Sequence, residues 1–178
     1  MRRRDLLAGA ASLAVVGGGA AYALGDFPGY DPGEKDGFEP LELPGIEAPG
    51  SQAGTITIPR EGNRTFVELF ATSCSVCQRM MPELRAASEA VAEDVQYVSV
   101  TNEPLGHSIE PEAVAEWWTD HDGQWQLAHD EGLELTRALN ANMVPYTAVF
   151  DGHNRLVWSD GGYKTEAELL EAIDPAPN

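Results

Sequence analysis

Hydrophobic and polar positions change period several times between Thr55 and Ile173, and each change marks an element. Thr55-Ile56-Thr57-Ile58 alternates with period two, the pattern of a half-buried strand. Thr65 to Ala71 carries apolar residues on both parities, as a central strand covered on both faces does. The apolar positions then move to helical spacing at Met81, Leu84, Ala87 and Val91, a stripe on an otherwise polar segment. Val95-Gln96-Tyr97-Val98-Ser99-Val100 returns to strand character, so the run predicts a β-α-β unit with parallel strands.

Between Thr101 and Ala128 the pattern predicts an inserted helix-strand segment. Pro111 suits a first helical position, where its missing N–H costs nothing, and Glu112 to Thr119 carries Val114, Trp117 and Trp118. Trp125-Gln126-Leu127-Ala128 reads as a short strand, and Asp130 suits the cap of a helix running to about Leu139. Tyr146 to Phe150 and Arg155 to Trp158 flank Asp151-Gly152-His153-Asn154, a hairpin signal. Thr165 with Glu168 three residues on has the form of a capping box, predicting a closing helix to Ile173. The four tryptophans are expected to pack in the core and at its edge, one of Met80 and Met81 to join them, and His107 and His121 to lie at the surface.

Upstream the texture differs. Met1-Arg2-Arg3-Arg4-Asp5-Leu6-Leu7 leads into an uncharged, Ala- and Gly-rich stretch to Gly25, the layout of an export signal. Paired arginines before Asp-Leu-Leu resemble the twin-arginine type, which carries folded proteins. Ala21-Tyr22-Ala23 fits a cleavage site, placing a signal at 1–23; a retained anchor through residues 6–25 is the alternative, since about 20 residues span a bilayer. Residues 24–54, dense in Pro, Gly and acids, read as a linker and irregular N-terminal edge without packed core. The remaining 55–178 have the length of one domain. Either reading of the N-terminus puts that domain outside the cytoplasm, where disulfides persist.

Charge narrows the partners. Against 29 acidic residues stand 11 basic ones, a formal net charge of -18, so nucleic acid is excluded by phosphate repulsion. Lysine occurs only at positions 35 and 164, and the acids are spread along the whole chain. Self-repulsion of that size is tolerated where salt screens it, at a Debye length of about 3 Å in molar salt. The composition resembles that of an extreme halophile.

Chemistry concentrates at Cys74 and Cys77, the only cysteines. A strand ending at a Cys-x-x-Cys that opens a helix puts the first sulfur at the helix N-terminus, where free N–H groups and the dipole favour a thiolate. The second sulfur, one turn on, is within reach of a mixed disulfide made by the first. Zinc needs three or four protein ligands, yet there is no second Cys pair, and His107, His121, His129 and His153 lack ligand spacing, so no metal is expected. A bridge across so short a loop constrains the unfolded chain little, which suits switching better than stapling.

The element order, with Phe70-Ala71-Thr72-Ser73-Cys74-Ser75-Val76-Cys77, Pro82 in the following helix, Met143-Val144-Pro145-Tyr146-Thr147 and Asp151-Gly152, resembles the thioredoxin fold. More narrowly, residues from about Phe38 to Ile173 resemble the exported TlpA/ResA-like thiol-disulfide oxidoreductases. The resemblance implies an α/β fold with a central mixed sheet flanked by helices. It also implies an attacking Cys74, a resolving Cys77, a cis Pro145 beside the sulfurs, and substrate contacts at Val144, Ser73 and Thr72. The redox-active Cys74–Cys77 disulfide would need no cofactor, and the partners would be protein thiols and disulfides, with a membrane thiol carrier as electron source. Ser73 stands where this family commonly has Trp. Glu68, six residues before Cys74, falls where thioredoxins hold a buried acid, and is expected to accept a proton from Cys77 through water. Disulfide reduction is the expected direction. A disulfide-forming role needs a more oxidising couple, and Sco-like copper delivery is set against the usual Cys-x-x-x-Cys spacing, which is absent.

Overall fold

The computed structural model describes residues 37–175. The expected export signal or anchor, and the linker up to residue 36, lie outside the described residues. Seven strands form one mixed sheet: β1 (Leu41–Gly45), β2 (Gly54–Ile58), β3 (Thr65–Phe70), β4 (Gln96–Thr101), β5 (Gln126–His129), β6 (Tyr146–Phe150) and β7 (Leu156–Gly161), in the order β2-β1-β5-β4-β3-β6-β7. The helices are α1 (Ser75–Ala90), α2 (Pro111–Asp120), α3 (Glu134–Ala138) and α4 (Glu166–Ile173). β3 runs parallel to β4 and β4 to β5, whereas β3–β6, β6–β7, β1–β2 and β1–β5 are antiparallel.

Apolar residues on both parities of β3 are buried on both faces, as their pattern predicts. On one face Phe66, Phe70 and Tyr97 pack against Cys77, Met80, Met81 and Leu84 of α1, with Trp118 of α2 and Leu169 and Ile173 of α4. On the other, Val67, Leu69, Val98 and Val100 pack against Leu135 of α3 and Leu139. Both methionines are buried, not one. The Thr165 capping box forms, its hydroxyl accepting the Glu168 N–H.

Two expectations need correction. Residues 24–54 do not stay irregular to Gly54: β1 pairs with β2, Leu43 and Ile46 are buried, and the Phe38 ring meets Phe150 edge-on at 5.1 Å. The folded unit therefore includes the segment from Phe38 onward. Pro40, Pro44 and Gly45 break up the strand pattern in sequence, but partners on both sides supply the burial that local propensity does not. The helix expected from Asp130 to Leu139 is only α3, because Leu133 is left-handed at φ 56°. Asp130 still caps it, from further upstream: its carboxylate accepts the Leu135 N–H at 3.2 Å and the Thr136 N–H at 2.8 Å. Asn140, at φ 50°, closes it.

Candidate active site

Leaving β3, the chain makes a turn closed by the Cys74 N–H donating to the Ala71 carbonyl at 3.0 Å, and enters α1 with Cys74 as its N-cap. The Cys77 N–H points back at Cys74 Sγ, 3.0 Å away. This is the dipole end of a long helix, and Sγ there faces a free N–H donor, a setting that favours a thiolate in the reduced form. Neither Ser75 nor Val76 adds positive charge. The two cysteines are joined by a disulfide, with Cα atoms 5.3 Å apart. Their exposure differs: Cys77 is fully buried in the α1 core, whereas Cys74 is half-buried at its rim. Cys74 is thus the more accessible of the two sulfurs.

The loop before β6 comes alongside. The Val144 carbonyl oxygen lies 3.6 Å from Cys74 Sγ, and the Val144–Pro145 bond is cis. Pro145 is buried, its carbonyl accepting the Gly162 N–H at 2.8 Å, while Met143 before it is exposed. The Ile58–Pro59 bond is also cis, a feature the sequence reading did not single out. Ser73 is exposed beside the sulfur. Thr72 is half-buried, and both its N–H and its hydroxyl donate to Glu103.

Glu68 sits on the same face of β3 as Phe66 and Phe70, the face that α1 covers with Cys77. Its carboxyl is fully buried, and neither oxygen finds a donor in hydrogen-bonding geometry among the described residues. Burial pushes its pKa up to about 7, and the neighbouring Ser99 hydroxyl pulls it back only in part. Tyr97, whose hydroxyl donates to the Leu84 carbonyl, is raised well above the phenol range by burial and then by the Glu68 charge.

Glu103 was not foreseen. It lies two residues beyond β4, 7% exposed, with its carboxylate against the turn that delivers Cys74. The signal available in sequence is an acidic residue just past the end of the strand parallel to the motif strand, the end of an α/β sheet where sites form. The tryptophans pack as expected: Trp118 and Trp125 are buried and meet at 4.7 Å, Trp117 stacks on Phe70, and Trp158 lies partly buried at the core edge. His107 is exposed, but His121 is half-buried and stacked on Trp117 at 4.3 Å, and His129 is buried. Among the described residues no group of three or more His, Cys, Asp or Glu could hold a metal ion, and no helix is long and apolar enough to cross a membrane.

Comparison with known proteins places this geometry. The thiol-disulfide oxidoreductase ResA of Halalkalibacterium halodurans is 27% identical over 120 residues, and the match spans 65% of either chain. StoA of Bacillus subtilis superposes with a TM-score of 0.65 at 17% identity, covering 76% of this chain and 97% of that one. The pneumococcal exposed lipoprotein thioredoxin of Streptococcus pneumoniae gives the same score and identity, over 76% and 98%. At such identities the structural likenesses establish the thioredoxin fold. The Redoxin family profile matches residues 42–173, most of the chain and nearly all of its described part, so this protein belongs to the Redoxin family.

Proposed function

We propose that this protein is an exported thiol-disulfide oxidoreductase that reduces disulfides in protein substrates through Cys74 and Cys77. The observation that carries the reading is the unequal pair: an accessible Cys74 Sγ at the N-terminus of α1, joined to a Cys77 that is wholly buried one turn on. In the reduced protein the Cys74 thiolate attacks one sulfur of a substrate disulfide. That S–S bond breaks, a mixed disulfide forms, and the departing substrate thiolate takes up a proton. Cys77 then loses its proton and attacks Cys74 Sγ, which releases the second substrate thiol and leaves the Cys74–Cys77 disulfide. Two electrons and two protons pass to the substrate, and a thiol donor, in our reading a membrane carrier, returns them.

Glu68 supports the second step, acting through water as proton acceptor for Cys77: a carboxyl with a pKa near 7 takes and returns protons at neutral pH. The substrate segment lies along the backbone of Val144, as in strand addition, with Pro145 shaping that loop and the small Ser73 leaving the sulfur open. Export is supported by the Arg-rich, then apolar N-terminus and by the exposed lipoprotein among the structural neighbours. A net charge of -18 supports a salt-rich setting.

Insulin reduction in high salt tests the assignment. Cys74→Ser should abolish turnover and Cys77→Ser should accumulate mixed disulfides; turnover surviving in Cys74→Ser would sink it. The equilibrium potential of the pair tests the direction: a value of about -180 mV or higher, the range of oxidising and isomerising enzymes, would replace reduction with disulfide formation.

A further inference from the structure

β3 and β4 end level with each other, Phe70 opposite Thr101, and from there one chain turns into the redox helix while the other runs on to Glu103. Within the Ala71–Cys74 turn the Thr72 N–H has no strand or helix partner, and a buried donor left unmatched is costly. It donates to Glu103 Oε2 at 2.8 Å. The Thr72 hydroxyl donates to the other oxygen, Oε1, at 2.9 Å, and the Thr101 hydroxyl to Oε2 at 3.1 Å. Glu103 is itself anchored: its N–H meets Thr101 Oγ1 at 3.3 Å, and its carbonyl oxygen lies 2.9 Å from His129 Nε2 on β5.

We propose that Glu103 is a positioning residue for the redox motif, its carboxylate holding Thr72 at two points and thereby fixing where Cys74 Sγ is presented. Three features carry this. Hydrogen bonds to a carboxylate are about twice as strong as neutral ones. The residue between Thr72 and Cys74 is the exposed Ser73, which buries no bulky side chain to hold the loop. Glu103 also accepts three donors on its two oxygens, so the carboxylate is itself fixed along with the turn it holds. The role rests on Cys74 being the attacking sulfur.

The test compares Glu103→Ala, Glu103→Gln and Thr72→Val in full-length protein at high salt. The readouts are kcat and KM for insulin reduction, the rate of Cys74 alkylation against pH in a Cys77→Ser background, and circular dichroism melts that fix the folded fraction. Glu103→Ala should lower kcat/KM per folded molecule by about 10- to 100-fold, the loss that a displacement of about 1 Å brings, and should shift the alkylation profile. Glu103→Gln should recover most of that loss, because its amide can accept from the Thr72 N–H and donate to the Thr72 hydroxyl. Thr72→Val, which keeps the N–H and loses one bond, should fall roughly 3-fold or more, and it decides the matter if Glu103→Ala does not fold. Unchanged rates in Glu103→Ala or Thr72→Val overturn the inference, as does a Gln variant no better than Ala. Residual turnover in Cys74→Ser would instead overturn the assignment of the attacking sulfur, whatever the Glu103 variants do.

Discussion

Replacing Glu68 with Gln removes a buried titrating group whose effect on stability has a definite sign. Its carboxyl has a pKa of about 7 in the folded chain against 4.5 for the ordinary side chain. That difference of about 2.5 units corresponds to about 3 kcal/mol. Because the folded state binds the proton more tightly, the contribution is fully present below pH 4.5, declines as pH rises, and is gone once pH has passed through 7. In Glu68→Gln this loss is absent. Stability of the variant minus that of the parent should therefore grow by about 3 kcal/mol between pH 4 and pH 8. Urea unfolding of the oxidised proteins at matched high salt measures both curves, and the many other carboxylates cancel in the difference. A flat difference curve would refute the reasoning, for it would mean that the folded chain hydrates or pairs the carboxylate. The same variant should lose the pH dependence near 7 of mixed-disulfide resolution.

Exposure of the two sulfurs predicts selective chemistry: mass spectrometry of the reduced protein after brief iodoacetamide treatment should find Cys74 modified well before Cys77, and equal labelling would count against the unequal pair. Ile46→Ala should destabilise by about 2 kcal/mol or more in denaturant unfolding, because this side chain belongs to the α1 core; a negligible change would return the segment to linker status. Raising KCl from about 0.1 M to about 1 M shortens the Debye length from about 10 Å to about 3 Å and should raise the thermal midpoint of this acidic chain. A midpoint that stays level across that range would remove salt adaptation from the account.

What could be read without coordinates was what is locally encoded. β3, α1 and β4 declared themselves by a switch of hydrophobic period, and the Thr165 capping box by two residues three apart. The dithiol was legible for the same reason, since its chemistry needs only Cys74, Cys77 and a helix start. β1 was not, because two prolines and a glycine hide a strand whose partners lie elsewhere in the chain. The nearness of Val144 to Cys74 spans 70 residues and came from family likeness, not from any local pattern. Glu103 and Thr72 are 31 residues apart, and neither residue type signals the other.

The two buried acids around the motif have opposite surroundings, which separates their work. Glu103 accepts three hydrogen bonds, two of them from the residue that leads into Cys74. Glu68 accepts none in bonding geometry among the described residues and is raised by burial. Three donors tie the Glu103 carboxylate to the turn, whereas Glu68 has no such tie and burial is the largest influence on it. In the proposed roles, positioning and proton transfer fall to different residues, Glu103 just past β4 and Glu68 within β3. The proposed roles are not interchangeable: Glu68, with neither oxygen accepting in bonding geometry among the described residues, has no loop to hold in place.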